Sequence, residues 1–308
     1  WPLAIQRERQ VGTIWRGGAI PSSSRATWSD GVAEVFQSHS ASSSTTSPSA
    51  SGRCLYLATV TRIDPMGTTG LDGVRQRPLT VIGAATSAGA YGPGQEQAPD
   101  YLRAHGLAEA LVGTSRPVHD AGNVATFVHR PDPEHPQAAN VEQVREAALS
   151  VAAAVSNAYT RGEDVLVLGG DCTIELGTVA GALADGSSVG LIYIDLDGDL
   201  NTPATGDGVL DWMGLAHILG VDGVEPRLAD MGPRSPLLPP LAVYLLAADL
   251  LTGPERRVVQ QLDIRHEPIA VVRTDLDAVL DRLLAWASEF DRILIHVDID
   301  VLHYPDFP

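Results

Sequence analysis

The stretch Val189-Gly190-Leu191-Ile192-Tyr193-Ile194-Asp195-Leu196-Asp197-Gly198-Asp199 decides how this chain is read. An apolar run rich in β-branched and aromatic residues gives way to aspartates at every second position. A continuous apolar run of this length suits a strand covered on both faces of a parallel sheet. Ligands of such sheets gather beyond the carboxyl ends of the strands. The aspartates therefore stand where a parallel sheet concentrates its chemistry.

Working outward, two more apolar runs end the same way. Residues 165–168 lead into Gly169-Gly170-Asp171-Cys172, and residues 293–297 lead into Asp298-Ile299-Asp300. Further short runs at 79–84, 242–247 and 269–272 complete a set of expected strands. Helix-period segments lie between several of them. The clearest covers residues 140–159, with apolar Val141, Val144, Ala148, Val151, Val155 and Tyr159; Asn140 is its expected N-cap, with Gln143 at capping-box spacing. Alternating strands and helices predict an α/β fold of three layers, α/β/α, with a mostly parallel central sheet.

Composition narrows the function. The formal net charge is −17, and all 21 basic residues are arginine. An acidic chain argues against a nucleic-acid partner, and the absence of lysine excludes mechanisms that need one. No run approaches the ~20 apolar residues of a membrane span. With only Cys54 and Cys172, a disulfide framework has no support, so a reducing cytoplasm is expected.

The chain divides by charge. Residues 1–77 carry eight arginines against five acids, and residues 78–308 carry 13 against 33. The Ser/Thr/Ala/Pro tract at 38–51 has no periodicity and too little apolar surface to order itself. Residues 1–77 are expected to be a poorly ordered or non-homologous extension, with a strand only near 55–60. Residues 78–308 are expected to form the α/β domain.

In an extended chain alternate side chains share a face. Asp195, Asp197 and, if the strand persists, Asp199 point to one side, as do Asp298 and Asp300 from another strand. Two carboxylates ~4 Å apart repel by ~4 kcal/mol at an effective dielectric near 20. A divalent cation is the simplest compensation, and oxygen-rich sites suit manganese or magnesium.

These motifs resemble those of the ureohydrolase (arginase/agmatinase) family. Gly169-Gly170-Asp171-Cys172 is similar to its GGDH motif, Asp195–Asp199 to DAHxD, and Ile295–Asp300 to the SxDxD segment. Supporting matches are Ile82-Gly83-Ala84, Gly92-Pro93-Gly94, Asn201-Thr202-Pro203 and Leu210–Gly214. The resemblance implies an arginase-like fold over residues 78–308 and two manganese ions, with magnesium as an alternative. It implies one metal on Cys172, Asp195, Asp199 and Asp298, and another on Asp195, Asp197, Asp298 and Asp300. It further implies that Asp195 and Asp298 bridge, and that a hydroxide beside Asp199 attacks the carbon of a small cationic guanidino or amidino substrate. By the same resemblance Asp211 does acid–base work, Asn201 meets the substrate, and the protein is a homo-oligomer.

The chain departs from the family where Cys172 and Asp197 replace histidines and Asp211 stands for a third. Cys172 reads equally as a metal ligand or a buried small hydrophobe, and Asp211 equally as an acid–base group or a structural part of the Asp-Trp turn. His217, His296 and His303 read as surface or packed residues. The family continues beyond SxDxD, so the C-terminal end is expected to be missing. Two alternatives stay open: a non-catalytic relative with a degenerate metal site, and a haloacid-dehalogenase-like phosphatase built on Asp195 and Asp197. The phosphatase reading suffers from the missing lysine, which arginine replaces imperfectly.

Overall fold

The computed structural model describes residues 57–61, 77–114 and 116–302. His303 and the 38–51 tract lie outside the described residues. In chain order the elements are β1 (Leu57–Thr61), β2 (Leu79–Thr86), α1 (Ala98–Ala104), α2 (Leu107–Val112), β3 (Val118–Phe127), α3 (Val141–Thr160), β4 (Asp164–Leu168), α4 (Ile174–Ala182) and β5 (Val189–Ile194). There follow α5 (Gly214–Leu219), α6 (Pro226–Ala229), β6 (Val243–Leu246), α7 (Gly253–Gln261), β7 (Arg265–Glu267), α8 (Ile269–Thr274), α9 (Leu276–Ala287) and β8 (Arg292–Val297). The strands form one sheet in the order β3-β2-β4-β1-β8-β5-β6-β7. Every neighbouring pair is parallel except those of β1, which runs antiparallel to both β4 and β8.

The two faces of β4 explain the layers. Val165 and Val167 belong to the large core that also holds α3 and α4, whereas Leu166 and Leu168 pack with Leu111, Leu102 and Leu107 of α1 and α2. Period-two alternation in a strand thus feeds two apolar faces, each covered by helices. The helix α3 lays Val144, Ala148, Val151 and Val155 against α4 and the sheet. Close approach is possible because α4 presents glycines: a Cβ on Gly177 would sit 2.2 Å from the Ala148 carbonyl oxygen, and one on Gly181 would sit 2.5 Å from that of Ala152.

At the opposite edge from the aspartates, Arg292 ties β8 to both helices. Its guanidinium lies 3.7 Å from the Tyr159 ring centroid and donates to Asp185 at 3.0 Å. It also donates to the Ala182 carbonyl.

Three sequence expectations need correction. Asn140 precedes α3 but makes no side-chain cap: with φ at 55° its amide side chain turns away and donates to the Arg130 carbonyl at 3.0 Å. The 269–272 run is helix α8 rather than strand. Pro268 supplies an extended entry to it, and four apolar residues carry no period that separates helix from strand. The edge strand β3 was absent from the expected set because its mostly exposed, polar sequence lacks an apolar run.

Candidate metal centre

Strand register builds this site. Across β5 and β8, Tyr193 pairs with His296 and Ile194 with Val297. The Asp298 amide then donates to the Ile194 carbonyl at 2.8 Å. Asp195 and Asp298 consequently leave neighbouring strands side by side, both almost wholly buried. Alternation also places Tyr193 on the face of Asp195, and His296 on the face of Asp298. The Tyr193 and His296 rings stack with centroids 3.9 Å apart and planes 3° from parallel.

The loop after β4 brings Cys172 to the same edge. Its thiol donates to Asp298 Oδ2 at 3.0 Å, and its amide donates to Asp211 Oδ1 at 2.6 Å. Asp211 also accepts from Gln95 Nε2 at 3.2 Å. Asp171 belongs to the loop itself, accepting from the Gly89 amide at 3.0 Å and from the Thr173 amide at 3.1 Å.

Two sets of potential ligand atoms result. Cys172, Asp195 and His296 each offer one atom within 4.8 Å of the others, and so do Asp195, Asp298 and Asp300. Asp195 is common to both.

The other expected aspartates are placed differently. The strand ends at Ile194, so the alternation does not carry through to Asp199. The Asp197 amide folds back onto Asp195 Oδ1 at 2.8 Å, a turn characteristic of aspartate. Asp197 sits half-buried at the rim, near Asp300 and Glu255. Asp199 lies deeper, with φ at 48°, and accepts the Tyr193 hydroxyl at 2.5 Å. Asp300 is exposed at its edge and accepts the Leu196 amide at 3.1 Å. Asn201 is buried, its Oδ1 accepting from Thr205 Oγ1 at 3.3 Å.

The electrostatics are those of a crowded acidic cluster. Burial, reinforced by Asp300, raises the Asp195 carboxyl well above its ordinary range, and burial with the Asp195 charge does the same to Asp199. Burial beside Asp300 pushes Asp197 to about 6; Asp300, though its outer edge meets solvent, is desolvated on its inner side next to Asp298 and is pushed to about 7. Burial also raises Asp211, although the Cys172 amide and Gln95 pull the other way. Without a counter-charge the cluster favours protons. Oxygen donors at these separations fit a divalent cation, which would favour the ionised form.

Glu175 escaped the sequence reading, and His296, taken there as a surface or packed residue, is packed within the cluster. His296 is fully buried in the cluster, with Nε2 at 3.6 Å from Asp195 Oδ2 and Nδ1 at 3.7 Å from Glu175 Oε2. Glu175, in α4, is likewise fully buried. A charged residue in the otherwise uncharged sequence of α4 was the available signal. His217 is a packed residue: its Nδ1 lies 2.6 Å from the Met213 carbonyl and its Nε2 accepts the Glu225 amide at 3.1 Å.

Fold and site together define a three-layer α/β/α protein with a carboxylate cluster at the C-terminal edge of its sheet. The profile described as the Arginase family matches residues 77–308. The arginase of Bacillus caldovelox is 30% identical over 242 residues, covering 75% of this chain and 79% of its own length. The hepatic arginase of Aquarana catesbeiana is 34% identical over 73% of this chain and 71% of its own. The solved native structure of the arginase from Bacillus caldovelox superposes with a TM-score of 0.62, covering 70% of this chain and 72% of that one. This chain belongs to the arginase family. That membership gives the phosphatase reading no support.

Proposed function

We propose that this protein hydrolyses a C–N bond of a small cationic guanidino or amidino compound at a centre of two divalent cations, manganese in the first instance and magnesium as the alternative. The observation that carries the reading is the emergence of Asp195 and Asp298 side by side from β5 and β8, with Asp300 and Cys172 closing on them. Relatives named arginases support the substrate class.

Asp195, Asp298 and Asp300 would hold one cation, with Asp197 at its rim. Cys172 and Asp195 would contact the other, with Asp199 behind. When bound, the cations supply the positive charge that lets water ionise near neutral pH and polarises the carbon under attack. Asp199, held through its Oδ2 by the Tyr193 hydroxyl, accepts the proton released by the attacking water. Asp211, anchored by the Cys172 amide and Gln95, delivers a proton to the departing amine. Asn201, braced by Thr205, orients the far end of the substrate. Acidic surroundings favour a cationic substrate through long-range attraction.

No helix among the described residues is long and apolar enough to cross a membrane. The reading places the protein in a reducing cytoplasm, where the Cys172 thiol persists, and assembles it as a homo-oligomer in keeping with the family resemblance. A panel of guanidino acids, arginine, agmatine and hydroxyguanidines, incubated with manganese-loaded protein and assayed for urea and free amine, tests the proposal. Turnover that disappears on chelation and returns with manganese supports it. A loaded protein that turns over no member of the panel leaves the non-catalytic relative.

A further inference from the structure

Granted the two-cation reading, on which the inference rests, we propose that His296 is a metal ligand oriented by Glu175, and that the Cys172–Asp195–His296 set selects a borderline metal such as zinc. The neighbouring Asp195–Asp298–Asp300 set then keeps a harder cation, and Asp195 links the two.

Geometry makes the case. Cys172 Sγ, an Asp195 oxygen and a His296 ring nitrogen all fall within 4.8 Å of one another, and all three residues are buried. The imidazole has little freedom. Tyr193 stacks on its face at 3.9 Å, Glu175 Oε2 stands 3.7 Å from Nδ1, and Asp195 Oδ2 stands 3.6 Å from Nε2. One nitrogen thus faces a buried carboxylate and the other faces the ligand cluster. A metal-bound histidine typically has this arrangement, its second nitrogen directed at a carboxylate that fixes tautomer and ring orientation.

A buried Glu–His pair with no further purpose is an expensive way to fill an apolar core. Apolar side chains of similar volume serve as well or better. Glu175 is the lone charged residue of α4, a helix buried along its whole length. A function for the imidazole gives that carboxylate a reason to be there.

Donor chemistry then separates the two sets. Thiolate and imidazole favour zinc or cobalt over manganese and magnesium, whereas a set of carboxylate oxygens suits the harder ions. On binding, Cys172 releases its thiol proton to solvent and the Sγ–Asp298 hydrogen bond is replaced by a bond to the metal.

The test uses the full chain, stripped with a chelator and titrated with zinc and manganese separately and together. X-ray absorption at the zinc edge is recorded on the unmutated protein, so the result does not depend on a variant folding. The expected spectrum has one sulfur at ~2.3 Å and nitrogen or oxygen at ~2.0–2.1 Å, with the outer-shell scattering of imidazole. Glu175→Gln should weaken zinc by about 10- to 100-fold while the manganese equivalent is retained. His296→Gln should remove tight zinc binding altogether. A zinc spectrum without sulfur or without imidazole, with manganese still bound, overturns this inference and leaves the two-cation reading standing. Unaltered zinc affinity in both variants does the same. Failure of the unmutated chain to bind either metal removes both.

Discussion

Tyr193 and His296 face each other across β5 and β8, and the register that stacks their rings also sets Asp195 beside Asp298. The aromatic layer is the floor of the candidate centre. Tyr193 reaches upward through its hydroxyl to Asp199, while His296 reaches Asp195 on one side and Glu175 on the other. Sheet pairing, side-chain alternation and ring stacking thus converge on one carboxylate cluster.

Removing the Tyr193 hydroxyl tests that floor. Tyr193→Phe keeps the stack and deletes a buried hydrogen bond to Asp199. A loss of about 1–3 kcal/mol in unfolding free energy is expected by urea denaturation of the metal-free protein. An unchanged midpoint would mean that the hydroxyl does not hold Asp199.

The approach of α3 to α4 predicts an inverted propensity effect. In an ordinary helix interior, alanine is better than glycine by about 1 kcal/mol. At Gly177 the added methyl group would meet the Ala148 carbonyl oxygen. Gly177→Ala should therefore destabilise by roughly 1–3 kcal/mol. A gain in thermal stability would contradict the packing.

Asp185 gives a pH signature remote from the cluster. The Arg292 guanidinium holds its carboxyl well below the usual range. With the folded pKa depressed, the stabilisation is present above the unfolded value of ~3.9 and fades as the pH falls through the folded one. Asp185 is about half exposed, so screening keeps the effect at or below ~1 kcal/mol. Stability curves of the protein and of Asp185→Asn should diverge above pH ~4 and converge in stronger acid. A constant offset across that range would rule out the ion pair as the cause.

Acid–base work by Asp211 has a kinetic test. Asp211→Asn keeps an oxygen for the Cys172 amide and removes the titrating group. On a confirmed substrate, kcat should fall by ~10² or more with KM little changed. A rise in KM alone would make Asp211 a positioning residue.

Much of the fold was legible because buried parallel strands announce themselves as apolar runs. Residues 165–168, 189–194 and 293–297 lie within strands. β5 and β8 share that C-terminal edge through parallel pairing, and β4 shares it because β1 runs antiparallel to both β4 and β8. Two local effects broke the reading. Asp195 captures the Asp197 amide, so the period-two pattern stops one residue after β5. At residue 140, a backbone in the left-handed region directs the asparagine away from the helix it precedes. The meeting of His296 and Glu175 was illegible for a different reason. They are 121 positions apart, and only the completed sheet and the packing of α4 bring imidazole and carboxylate together. Nothing local in either segment encodes that meeting.

The most direct test of the account is the manganese, magnesium and zinc content per chain, measured by elemental analysis after loading and desalting. About two divalent ions per chain are expected, both lost or greatly weakened in Asp195→Ala, with Asp298→Ala losing at least the ion shared with Asp300. A chain that retains no metal after incubation with excess manganese and zinc would contradict the candidate centre and leave an arginase fold without its chemistry.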